Sequence, residues 1–329
     1  MKVLVSLAVA VGLFLVGTLG TLPGMGWVFG VVLPYIAIAM FFVGLTYKVM
    51  SWAKVPVPFR IPTTCGQQKS LPWIKQEPLE NPHNALTVVG RMALEVLLLR
   101  SLLRNTKTQM TEDRRLVYGA VPWLWLAAMA MHWSLLIILF RHLRLMTNPV
   151  SYCVTFLEQV DGFFEVGIPV IFITTVVFLV SLLYLLLRRL ANAQVRYISL
   201  ASDYFPLFLL LGIGLSGFFL RHCYKTDVVA AKQLAIGLVS FQPVVPDTIN
   251  WLFYGHLFLV AVLLAYLPFS KLTHMAGAFL SPTRNMANSN RQVRHINPWD
   301  YPVKVHPYEE YEDELRDKMK SAGVPVERE

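Results

Sequence analysis

Charged residues are scarce in this chain. Asp, Glu, Lys and Arg make up only 15% of its 329 residues, against about a quarter in a typical soluble domain. That excludes an ordinary water-soluble globule of this length. Cysteine is nearly missing: Cys65, Cys153 and Cys223 form neither a CxxC pair nor a CxxCH motif, which excludes a cysteine zinc site and covalently attached haem. Acidic residues are the minority charge, 20 against 29 Lys and Arg. The net charge of +9 could suit nucleic acid, but basic residues that gather in loops beside apolar segments point to a lipid surface instead. A nucleotide-binding glycine loop is also lacking. Residues 212–217, GIGLSG, fit GxGxxG by letter, yet they follow no strand and lie within an apolar run, so the context fails. Small residues there suit close helix packing or close approach of a flat macrocycle.

What is abundant is apolar surface, 55% of the residues, gathered into runs near the ~20 residues a helix needs to cross a bilayer. Backbone groups in lipid must be satisfied within the segment, so these runs predict helices. The fold class expected is all-α, a polytopic membrane bundle of six spanning helices over residues 3–19, 27–49, 121–146, 164–187, 204–222 and 249–269. The first run resembles a signal peptide but lacks an evident small-x-small cleavage site, so a retained helix is expected. The loops after the second and fourth spans, and the start of the tail, hold most of the Lys and Arg. The positive-inside rule then puts both termini in the cytoplasm.

The expected layout is an extra N-terminal helix (1–25), the first helix of a core (26–52), a cytoplasmic loop (53–118), a four-helix region (119–280) and a polar cytoplasmic tail (281–329). Within the loop, a proline-rich linker precedes an amphipathic stretch, residues 84–105, interrupted by Arg91, Glu95 and Arg104; it predicts one helix lying on the inner membrane surface. In the tail, HPYEEYEDELRDKMKSAG runs from acidic to basic, as a short solvated helix does, and could be a free end or a dock for a soluble partner.

Eight histidines are present, and four fall on two spans: His132 and His142 on the third, His256 and His274 at either end of the sixth. A single membrane histidine is most simply a neutral imidazole hydrogen-bonded to a neighbouring helix. Four on two helices also suit a second reading, in which paired imidazoles are axial ligands to two haem irons. With the orientation above, His142 and His256 lie near the outer face, and His132 and His274 lie deeper. On straight helices, the ten-residue spacing covers about 15 Å and the eighteen-residue spacing about 27 Å. A mismatch of about 12 Å must therefore be absorbed by tilt, by the macrocycle or by a bend at Pro268. His222, beside Arg221, is expected at the outer interface near a quinone or a haem propionate. His83, His295 and His306 lie in polar segments and are expected to be solvated.

Residues 34–281 resemble the cytochrome b subunit of respiratory nitrate reductase, the gamma or NarI-like family. MHWSLLIILFRH carries that family's two-histidine spacing of ten; HLFLVAVLLAYLPFSKLTH carries its closing spacing of eighteen. The resemblance implies two haems b, an inner one held by His132 and His274 and an outer one by His142 and His256. The chain departs from that family in an added first helix and a long inserted loop, and the loop is similar to that of the DsrM branch, haem b subunits of sulfite-reduction-associated DsrMKJOP complexes. Such subunits oxidise menaquinol and pass electrons to a DsrK-like cytoplasmic iron–sulfur subunit that acts on DsrC, alongside DsrJOP-like companions. The family's quinol-site lysine has no counterpart between His142 and Asp161; Glu158, Asp161 and Glu165 stand in that region, and Glu158, Asp161 and His222 become the quinone-site candidates. The expected function is thus an electron-transfer subunit of a quinol-oxidising complex in the cytoplasmic membrane, without nucleic acid. A proton-coupled transporter or a passive anchor with structural histidines are the alternatives, and a reduced-minus-oxidised visible spectrum separates them.

Overall fold

A computed structural model of the chain describes residues 1–21, 24–55, 67–104, 107–162, 170–280, 287 and 306–327. Cys65, Glu165, His295 and most of the early tail lie outside them. The described residues form two compact units, residues 1–48 with 89–279, and residues 49–88 with 280–329.

Among the described residues, six helices are long and apolar enough to cross a membrane. They are α1 (Lys2–Leu19), α2 (Leu33–Ala53, preceded by a π-turn at Val28–Val32), α5 (Pro122–His142), α7 (Ile173–Ala191), α9 (Ala201–His222) and α11 (Trp251–Tyr266). This is a polytopic helical membrane bundle. Most outward residues of these helices are large and apolar, for example Phe42, Leu139 and Val180. Such an outer surface is stable only against lipid or another apolar partner.

Helix α1 packs against α9 and α11. The Ser6 hydroxyl donates to the Ala201 carbonyl (2.8 Å) and Lys2 Nζ to the Ser199 carbonyl (3.0 Å), so α1 and α9 start at the same end. At the far end of α1, a Cβ on Gly17 would stand 3.1 Å from the Gly255 Cα, and one on Gly255 would stand 2.4 Å from the Thr18 side chain. Only bare backbones allow this crossing. Helices α5, α7 and α9 close around Phe178, Leu182 and Leu210, against which Met131, Leu135 and Ile138 pack.

Several short elements were not legible in the apolar runs. The stretch expected as one amphipathic helix is two, α3 (Ala85–Leu98) and α4 (Arg100–Leu103), separated by Leu99 in the left-handed region (φ 46°). The break frees carbonyls at the end of α3. The indoles of Trp125 and Trp133 donate to the carbonyls of Leu98 (2.7 Å) and Leu97 (3.0 Å), which ties α3 to α5. Next comes an exposed antiparallel hairpin, β1 (Lys107–Met110) and β2 (Leu116–Gly119), a departure from a purely helical expectation. Between the third and fourth spans lies α6 (Tyr152–Asp161), between the fourth and fifth α8 (Ala193–Ile198), and between the fifth and sixth α10 (Val228–Val239). At ~1.5 Å per residue α10 is too short to cross. Its Ala230 and Leu234 pack on Phe29, Val31 and Tyr254. Asp227 caps it, accepting from the Val229 and Ala230 amides; those amides and the Thr248 hydroxyl hold its carboxyl below the usual range, the Ala230 amide foremost.

In the second unit, the polar tail forms α13 (Tyr308–Ser321). The expected solvated helix is present, except that Glu312 is 2% exposed and accepts from the Glu327 amide (2.8 Å).

Candidate functional site

The sixth span does not run straight. After α11, Pro268 cannot donate to the helix ladder and crowds the preceding turn. The chain passes through 3-10 turns at Leu267–Phe269 and Lys271–Thr273 before α12 (His274–Leu280). Ser270, with extended backbone, caps the second turn, its hydroxyl accepting from the Leu272 amide (3.2 Å). Helix α2 braces this break: a Cβ on Gly44 would stand 2.8 Å from the Phe269 ring and 2.9 Å from Pro268 Cβ.

With that break, α5 and the α11–α12 segment bring four imidazoles into two facing pairs. His132 and His274 have ring centroids 6.0 Å apart, with planes at 78°. His142 and His256 have centroids 6.5 Å apart, with planes at 17°. These distances are too long for ring stacking in contact and suit one atom between two nitrogens. A metal about 2 Å from each nitrogen, with about 1.1 Å from nitrogen to ring centre, separates the centroids by about 6.2 Å. The straight-helix mismatch of about 12 Å does not persist, because the break turns the last residues before His274 off the α11 axis.

Each ring is also set to present a lone pair. His132 Nδ1 bonds the Ala128 carbonyl (2.7 Å), His142 Nδ1 the Ile138 carbonyl (2.7 Å) and His274 Nδ1 the Lys271 carbonyl (2.9 Å). His256 Nδ1 lies 2.9 Å from the Ser216 hydroxyl. A carbonyl accepts only, so in His132, His142 and His274 Nδ1 carries the proton and Nε2 is left as the ligand atom. Among the described residues, no three His, Cys, Asp or Glu converge on one point. Each pair therefore offers two ligands, and a metal between them must bring its other ligands itself, as a haem iron does. The glycines of GIGLSG sit in α9 at close approaches: Gly214 against Leu179, and Gly217 with 3.2 Å between a would-be Cβ and His256 Cε1. Sequence reasoning saw the small residues but not the Ser216–His256 bond, which joins residues 40 apart.

The other candidates gather at the His142 end. Asp161, 6% exposed, pairs with Arg141 (2.8 Å) and accepts from the Thr174 amide (2.8 Å) and hydroxyl (2.6 Å). Arg144 makes a two-point bond to Glu158 (2.8 and 2.9 Å). Phe172 lies between two guanidiniums, 3.7 Å from Arg141 and 4.1 Å from Arg221. Arg221 Nε also donates to the Val170 carbonyl (3.2 Å). His222 ends α9, half-buried, with its ring 4.5 Å from that of Phe218. It is not a member of either facing pair. His83 and His306 lie in the second unit, outside the spans.

Residues 88–294 match the model of the nitrate reductase gamma subunit family. The chain is 43% identical over 283 residues to the Hdr-like menaquinol oxidoreductase cytochrome b-like subunit of Archaeoglobus fulgidus, covering 84% of each chain. It is 42% identical over 275 residues to the protein of that name from Archaeoglobus profundus, covering 82% of this chain and 81% of the relative. The two facing histidine pairs, the matched region that contains all four residues, and relatives of this identity over most of the chain lead to one conclusion: the chain belongs to the nitrate reductase gamma subunit family.

Proposed function

We propose that this chain is the membrane cytochrome b subunit of a menaquinol-oxidising complex. The observation that carries the proposal is the facing of His132 with His274 and of His142 with His256, at 6.0 and 6.5 Å. In this reading the first pair holds an inner haem b and the second an outer haem b. The names of the Archaeoglobus relatives support a menaquinol substrate and an Hdr-like complex. Bound there, two haems supply one-electron redox chemistry, so a quinol losing two electrons and two protons at the outer end is oxidised in single-electron steps.

The chain's own residues do the rest. Their Nδ1 bonds fix the orientation of the four imidazoles and aim each ring at its facing partner. Glu158, Asp161 and His222 remain the candidates for the quinol side. Arg144 and Arg141 already engage the two carboxylates, whereas His222 has no ion-pair partner among the described residues, which makes it the group best placed to accept a phenolic proton. Electrons leave toward the cytoplasmic face, where the positive-inside distribution puts both termini. The partner there is a DsrK-like iron–sulfur subunit with DsrJOP-like companions, and the DsrM-like inserted loop supports a role in reducing DsrC in sulfur metabolism.

The test is a reduced-minus-oxidised visible spectrum of the purified chain, followed by variants. Two b haems per chain are expected. His142→Ala and His256→Ala should remove one and the same haem; His132→Ala and His274→Ala should remove the other. A chain without b haem, or variants of one pair that remove different haems, would overturn the reading.

A further inference from the structure

Three of the four histidines are oriented by a carbonyl of their own stretch of chain. His256 is oriented by another helix. Its Nδ1 lies 2.9 Å from the hydroxyl of Ser216 on α9. That hydroxyl donates to the Ile213 carbonyl (3.0 Å), which also faces the His256 ring, so the hydroxyl proton is engaged and a lone pair is free to accept from the imidazole. Ser216 is 4% exposed, so water does not compete for the bond. The next residue, Gly217, lets the ring lie against bare backbone, since a Cβ there would stand 3.2 Å from His256 Cε1. On the other side, Gly255 is pressed against α1 at Gly17 and Thr18. His256 therefore cannot follow a shift of α11 without breaking contacts on two helices.

We infer that Ser216 is a positioning residue that fixes the ring of His256 and sets the electron density on its Nε2. The inference rests on the reading of His256 as a ligand of the outer haem. An acceptor on Nδ1–H makes the imidazole a stronger donor to a metal. A stronger donor favours the ferric state and so lowers the reduction potential. The contact is made at one ligand only, so it acts on the outer haem and leaves the inner one alone. The two potentials can then be set apart within one bundle.

The experiment is a redox titration of the two b haems, with EPR of the oxidised protein, in the full chain. Ser216→Ala is expected to keep two haems, raise the outer potential and alter the outer EPR g values, with the inner haem unmoved. Ser216→Thr, which keeps the hydroxyl, should restore both. Ser181→Ala serves as a control; its buried hydroxyl bonds only the Val177 and Phe178 carbonyls of its own helix, and it should move neither haem. If the alanine variant does not assemble, Ser216→Cys, with a poorer acceptor of similar size, should shift the outer potential the same way. Unchanged outer potential and g values in these variants, or equal shifts at both haems, overturn the role of Ser216. A wild-type chain without two haems overturns the ligand reading beneath it, and is seen before any variant is made.

Discussion

His132 and His274 meet nearly edge to face, at 78°, whereas His142 and His256 lie almost parallel, at 17°. The angle between two axial imidazoles decides how strongly they split the iron orbitals that share the unpaired electron in a low-spin ferric haem. Crossed rings leave those orbitals close in energy and give a strongly axial EPR signal with a large maximal g value. Parallel rings give a normal rhombic signal. The oxidised protein is therefore expected to show one signal of each kind. His274→Ala should abolish the large-g signal and His256→Ala the rhombic one. The reverse assignment would mean that the ring planes differ from those described.

The break after α11 gives a second prediction. Gly44 has no room for a side chain against Pro268 and Phe269. Gly44→Leu should push the break away from α2 and cost about 1–3 kcal/mol, the range for overpacking. His274 follows the break and His256 precedes it, so the inner haem should be lost first. The haem-to-protein ratio and the surviving EPR signal report this; equal loss of both haems would point to general unfolding instead.

The spans and the four histidines were legible in the sequence because bilayer thickness imposes a length, and the rarity of polar residues in lipid makes each one conspicuous. What could not be read came from non-local packing. Straight-helix geometry left the ligand pairs about 12 Å out of step, since the effect of Pro268 depends on a brace at Gly44, far away in sequence. The αL break at Leu99 was hidden because leucine is a good helix former, and its freed carbonyls are met by Trp125 and Trp133. Likewise, nothing in Glu158 or Asp161 alone foretold their arginine partners.

Arg141 and Asp161 form a pair in which both side chains are largely buried, 8% and 5% exposed. Removing one partner of such a pair leaves a charge without compensation and costs about 3–5 kcal/mol. Asp161→Asn should accordingly lower the thermal inactivation midpoint of the detergent-purified protein and loosen the end that carries His142. Replacing Arg141 and Asp161 together by Met and Leu should recover most of the loss, because a buried pair exchanged for apolar groups is often neutral. If the double variant is no more stable than the single one, the pair contributes more than mutual neutralisation.

Asp227 provides the pH test. Its carboxyl lies below the usual range chiefly because the Ala230 amide donates to the ionised form, with the Thr248 hydroxyl next. A group whose folded pKa is depressed adds stability that is fully present above its unfolded pKa and is lost as pH falls through the folded value. Helix α10 should thus be well protected at neutral pH and open as the solution is acidified through and below the usual carboxylate range. Hydrogen exchange of residues 228–239, corrected for the intrinsic pH dependence of exchange, measures it. Asp227→Ala should expose the helix start at all pH values, since the cap is gone. Asp227→Asn retains a side-chain oxygen for the amides but has no proton to gain, so protection should survive with its acid sensitivity removed. Acid sensitivity that persists in the asparagine variant would assign the transition to another group.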